Sequence, residues 1–319
     1  MNRTTTRLAL RLHRFEIGIL GALGILAAAL TLLVCSWLDG TGFAGACAQA
    51  MQTGAATTPA CVSAQDAFYK VQSGSVAILT QVLLVAVPYL LAVLTGVAIV
   101  GREVERGTAR LAWSLAPSRA TWFAGRLLPV LVAATAVGLL TGLAADRLSA
   151  SMNPGTNPWA SLADFGSRGV DLAARAVFAF AVAVLIGAAL GRALPALLVA
   201  TIVIFLGIGG GSGVDGRILA SEAVPVLSGS NFYDSANLTY DTGFLAPDGT
   251  FLSWDQMQQL FPQPTDPNVG WNPPYPQAQR IVPGTRYPFV AGREAAVLLA
   301  GALAALALAF MVVRRARPG

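Results

Sequence analysis

The chain has 319 residues, 55% of them apolar and only 12% charged, with a mean hydropathy of +0.62. An ordinary soluble domain carries about 25% charged residues, so a soluble fold is excluded, and abundant aliphatics with three cysteines exclude disordered and disulfide-scaffold classes as well. A single histidine, His13, and a single lysine, Lys70, are too few for a haem, zinc or proton-relay protein, so no cofactor is expected on this chain.

Apolar runs long enough to cross a hydrocarbon layer of about 30 Å predict an all-α polytopic membrane protein with six transmembrane helices. Residues 1–16 alternate Arg3, Arg7, Arg11 and Arg14 with Leu8, Leu12 and Phe15 at helical spacing. They predict an amphipathic helix in the inner headgroup layer, with an unstructured basic leader as the alternative. The first span is 17–37; its core is too long, and the Ala46-Cys47-Ala48 site too distant, for a cleaved signal peptide. An outer loop, 38–75, holds Cys47 and Cys61, which either form a local disulfide on the oxidising side or stay as two thiols. Cys35, at the end of the first span, reads as a packing residue.

The second span is 76–100, followed by an inner loop, 101–126, and a third span, 127–145. An outer loop, 146–169, leads to the fourth span, 170–190, where Asp171 and Arg175 are four apart and a local ion pair accounts for them without a relay. A short turn, 191–193, precedes the fifth span, 194–213, which Pro195 opens in a first turn that tolerates it. The long outer segment, 214–293, is so dense in proline that it predicts an irregular extracellular cap packed by its aromatics. The sixth span, 294–313, ends in a basic tail, 314–319.

With the N-terminus inside, the inner segments hold thirteen arginines against three acids, a charge of +10, and the outer ones eight basic residues against thirteen acids, −5. The positive-inside rule therefore places both termini in the cytoplasm of a plasma-membrane protein. The same topology, with attraction to the anionic lipid bilayer, explains the basic balance, and no nucleic acid is implied.

The inner loop carries the clearest functional pattern. After Glu103 and Glu105 the chain breaks at Gly107, Thr108 can cap a new helix that presents Leu111 and Trp113, and Pro117 stops it. Within the second and third spans, Gln81, Tyr89, Thr95, Thr135 and Thr141 are polar points that either line a substrate route or bond to their own helices.

On these residues the sequence resembles the permease subunits of ABC-2 type transporters, particularly actinobacterial ones. The shared features are Glu103 with Gly107-Thr108 after the second span, the Pro117-Ser118-Arg119 turn, Gly125-Arg126 before the third span, and Arg286-Tyr287-Pro288-Phe289 with Glu294 before the last. The resemblance implies a transmembrane subunit, not itself catalytic, that pairs with a second permease subunit. Each would press its inner loop, through Glu103, Glu105, Gly107, Thr108, Leu111 and Trp113, against a separate ATP-binding cassette ATPase that holds the ATP and Mg. It implies export of a substrate whose identity the sequence does not carry. A non-transporting anchor or sensor is the main alternative.

Two further motifs fail on context. Gly211-Ser212-Gly213-Val214-Asp215-Gly216 has the glycine spacing of a dinucleotide loop but follows a span rather than a strand, and no phosphate-binding G-x-x-x-x-G-K-[ST] occurs. Gly210-Gly211-Ser212-Gly213 looks like the nucleophile site of an intramembrane serine protease, yet the one histidine lies across the membrane from it.

Overall fold

A computed structural model describes residues 14–47, 58–108, 118–209, 214–227, 236–263 and 271–315. The N-terminal helix expected over 1–16 lies almost wholly outside these, as do Leu111, Trp113 and the glycine-rich end of the fifth predicted span. The chain divides into two compact units.

The larger unit comprises residues 1–155, 166–213 and 291–319. Its principal helices are α1 (Arg14–Gly40), α4 (Ser75–Glu105), α5 (Arg119–Met152), α6 (Gly169–Leu190), α7 (Ala193–Gly209) and α10 (Tyr287–Arg315), with short α2 (Phe43–Ala46) and α3 (Pro59–Gln72) between α1 and α4. Among the described residues five helices, α1, α4, α5, α6 and α10, are long and apolar enough to cross a membrane. The fifth predicted span appears as α7, 17 residues long and below that length.

Several helices outrun the spans expected for them, because their charged ends find partners. Helix α4 continues past Val100 to Glu105, and α5 begins at Arg119 rather than 127, where Ser118 Oγ accepts from Thr121 N–H (3.1 Å) as N-cap. Trp122 and Phe123 then pack into the core, which holds that extra turn in place. The far end of α5 runs on to Met152, carrying Asp146 and Arg147 in ion pairs with Arg168 and Asp39. Helix α10 starts at Tyr287, with Pro288 in the first turn, where its missing N–H costs nothing.

Helix α6 is the axis of this unit. It presents Ala173, Ala176, Ala179 and Ala183 to its neighbours, and helices without a hydrophobic driving force between them associate where such small residues let backbones approach. A Cβ on Gly96 of α4 would stand 2.8 Å from the Phe180 carbonyl oxygen, and one on Gly187 2.9 Å from that of Val97. On the other flank, a Cβ on Gly142 of α5 would fall on the Gly169 carbonyl oxygen. Helix α7 buries one stripe, Ala196, Ala200 and Ile204, while Leu194, Leu198, Ile202 and Phe205 stay exposed, and α10 sets Ala302 and Ala305 beside Ala181.

The smaller unit comprises residues 156–165 and 214–290. It corrects the expected irregular cap. After α8 (Val214–Glu222), strands β1 (Val224–Leu227), β2 (Leu238–Leu245), β3 (Phe251–Ser253) and β4 (Gln277–Val282) form an antiparallel sheet in the order β1-β4-β2-β3, with α9 (Trp254–Leu260) following β3. The prolines do not forbid the sheet because of where they fall: Pro225 is on an edge strand, and Pro276 and Pro283 flank β4. The aromatics do pack the unit. Phe244, fully buried, lies 4.8 Å from Trp254 and 5.6 Å from Trp271 between ring centroids, both edge to face. Ser253 and Gln256 close a capping box at the start of α9.

Candidate functional site

The connection between α4 and α5 is framed by contacts that tie four helix ends to it. At the end of α4, Glu103 forms an ion pair with Arg126 on the second turn of α5, and the Arg126 guanidinium also lies 5.7 Å from the Trp122 ring centroid. Two residues on, Glu105 Oε2 accepts from the Ala193 N–H (3.0 Å), so a carboxylate caps the positive end of α7. From the α5 side, Arg119 donates to the Val313 and Arg314 carbonyl oxygens (3.3 and 2.7 Å), satisfying the last turn of α10. Gly107 leaves α4 with φ +68°, a left-handed backbone that a side chain resists.

Glu103 and Glu105 are thus both engaged inside the chain. The Thr108 hydroxyl turns back to the Glu103 carbonyl oxygen (3.4 Å), towards the helix it follows. Leu111 and Trp113 lie outside the described residues.

A second constellation went unread in the sequence. Asp171 and Arg175 do pair along α6 (3.3 Å), but Arg175 Nη2 also meets Glu294 Oε1 of α10 at 2.5 Å, and both carboxylates are fully buried. Tyr89 of α4 neighbours the same guanidinium. Gly166, with φ +82°, packs so close that a Cβ there would stand 2.5 Å from Arg175 Nη2. A local i,i+4 pair is therefore half of the arrangement; the other half comes from a residue 119 positions away, which spacing cannot reveal. Arg168, 1% exposed, is likewise bound to Asp146 of α5 at 2.9 Å. The one sequence signal was Glu294, an acid in the first turns of an apolar helix.

Of the other polar points, Thr95, Thr135 and Thr141 donate to carbonyl oxygens one turn back on their own helices, Leu91, Leu131 and Val137, at 2.6 to 2.9 Å. Gln81 is exposed and reaches Met152 Sδ (3.1 Å). The five thus divide: three hydroxyls are spent locally, and Tyr89 alone joins a charged cluster. Cys47 and Cys61 form a disulfide with Cα atoms 4.9 Å apart, which ties α2 to α3, while Cys35 is a buried free thiol in an apolar cluster with Leu38, Phe68 and Leu148. Among the described residues no three His, Cys, Asp or Glu side chains are grouped to hold a metal ion.

A family model described as ABC-2 membrane transporter related matches residues 20–211, from α1 through α7. No curated protein and no solved structure matches the chain. The match takes in the whole α4–α5 connection and its contacts to Arg126 and Ala193, whereas the sheet-bearing segment from α8 to β4 lies beyond it. Covering well over half of the sequence, it establishes that the chain belongs to the ABC-2 membrane transporter related family.

Proposed function

We propose that this chain is the permease subunit of an ABC exporter in the plasma membrane, working as a pair of permease subunits with a separate ATP-binding cassette ATPase that binds the ATP and Mg. The observation that carries the reading is the α4–α5 connection. Through Glu103–Arg126, Glu105 and Arg119 it touches the ends of α4, α5, α7 and α10, so a push on one short segment reaches four helices together. Glu103, Glu105, Gly107, Thr108, Leu111 and Trp113 belong to this coupling segment: the two acids as its internal brace, the glycine as its bend and the remainder as its contact surface. The Arg175–Glu294 bridge, with Tyr89, is the polar point where α6 and α10 separate or close during transport.

The reading includes six spans with both termini cytoplasmic. Helix α7, about 25 Å long at 1.5 Å per residue, is the fifth span in chain order and completes the six; its single buried stripe and exposed Leu194, Ile202 and Phe205 suit lipid on the remaining face. The charge split of +10 against −5 supports the orientation. Single cysteines at positions 108 and 315 in a cysteine-free chain are expected to resist a membrane-impermeant maleimide added to intact cells, and one at 248 to react. Labelling at 108 with protection at 248 overturns the orientation, and with it the placing of the connection on the ATPase side.

A further inference from the structure

Within the larger unit, a cavity of about 230 Å³ opens where α1 and α5 end, walled by Leu38, Phe43 and Phe68 and lined by Asp39, Arg147 and Ser151. Phe43 and Phe68 stack with centroids 4.7 Å apart, on the two short helices that the Cys47–Cys61 disulfide joins, so this wall is held in place covalently. At the mouth, Arg147 Nη2 and Asp39 Oδ2 are 2.7 Å apart and both side chains are half exposed. Inside, Ser151, 6% exposed, carries a buried hydroxyl whose neighbour within the chain is the Cys35 thiol, a weak hydrogen-bonding group. A hydroxyl set beside so weak a partner keeps the capacity to bond a ligand or water.

The chemistry around this cavity has two signs. Residues of the last turns of α1 and α5 line it, and the negative ends of these helices, with the Asp39 carboxylate and the aromatic rings, favour a cation. Arg147 favours a phosphate. Immediately before the mouth, Trp37 is exposed on α1 with Leu32 and Leu33 below it, the pattern of an aromatic at headgroup level above lipid-facing aliphatics. An exposed ion pair opens at little cost, and a zwitterion replaces each partner with a charge of the same kind.

We propose that this cavity holds the headgroup of a zwitterionic phospholipid: phosphate on Arg147, ammonium between Asp39 and the Phe43 ring, and the Ser151 hydroxyl bonded to the headgroup. The site depends on α1 and α5 being membrane helices and is independent of coupling to an ATPase.

Native mass spectrometry of the delipidated full chain, titrated with dihexanoyl phosphatidylethanolamine, dihexanoyl phosphatidylglycerol and acyl-free phosphoethanolamine, tests it. Phosphatidylethanolamine is expected to bind about tenfold more tightly than phosphatidylglycerol, the value of one charge-assisted contact, and Arg147→Gln to lose about the same factor. Ser151→Leu, which fills the cavity, is expected to abolish specific binding. Since Arg147 is exposed, its variant stays folded even where Ser151→Leu does not. Equal affinity for the two lipids, equal affinity for wild type and Arg147→Gln, or no bound phosphatidylethanolamine overturns the site. Binding of phosphoethanolamine as tight as that of the lipid overturns the assignment to a membrane lipid.

Discussion

Arg175→Met is expected to destabilise the purified chain by about 3–5 kcal/mol, the cost of removing one partner from a buried ionic cluster. Arg175 stands between two fully buried carboxylates, Asp171 on its own helix and Glu294 on α10, and methionine fills much of its volume while leaving both acids without the guanidinium. Glu294→Gln keeps a hydrogen-bonding oxygen at the bridge and is expected to cost less. Replacing all three together, Asp171→Leu, Arg175→Met and Glu294→Leu, is expected to recover most of the loss, because well-packed apolar groups often replace buried ion networks without penalty. Thermal or denaturant unfolding in detergent measures this series. An Arg175→Met chain as stable as wild type contradicts the bridge between α6 and α10.

Gly142→Val is expected to cost about 1–3 kcal/mol or more by overpacking, because the added carbons fall on the Gly169 carbonyl, a backbone atom that moves only with the whole of α6. The change adds apolar bulk to a membrane helix and raises no solubility problem of its own, so a loss reports helix spacing. Gly21→Ala is the control: nothing lies within 4 Å of its added carbon, and alanine favours helix over glycine by up to about 1 kcal/mol. Unfolding in the same detergent should separate the two, with Gly142→Val falling and Gly21→Ala unchanged or slightly higher. Equal behaviour of both contradicts the close α5–α6 contact.

What the sequence allowed to be read follows the range of the forces involved. Long apolar runs located the five membrane-length helices because hydropathy is summed locally, but several of their ends were misplaced, by up to eight residues at the start of α5. Those ends depend on partners elsewhere: Arg126 on Glu103, Arg147 on Asp39, Asp146 on Arg168. Gly107 was legible as a break, since a glycine after a charged turn has few other uses, and its φ of +68° fits that. The contacts of Glu103 and Glu105 within the chain were not, because acids near a loop look free until a capped helix or an arginine is placed beside them. The sheet of the smaller unit was missed for a related reason. Proline density argues against strands only when the prolines fall inside them, and here one occupies an edge and others lie at strand ends.

Coupling through the α4–α5 connection is tested by ATP hydrolysis and transport in the reconstituted complex of this chain with its ATPase, compared at equal membrane amounts. Valine at Gly107 must adopt a left-handed backbone at a cost of about 1–2 kcal/mol, so Gly107→Val is expected to lower both activities roughly fivefold or more while the exposed position spares folding. Glu103→Arg sets two guanidinium groups against each other and is expected to do the same, and Glu103→Arg with Arg126→Glu to restore activity by remaking the pair in reverse. Loss in the single variants with recovery in the swapped pair is the predicted result; wild-type hydrolysis and transport in Gly107→Val and Glu103→Arg would contradict it.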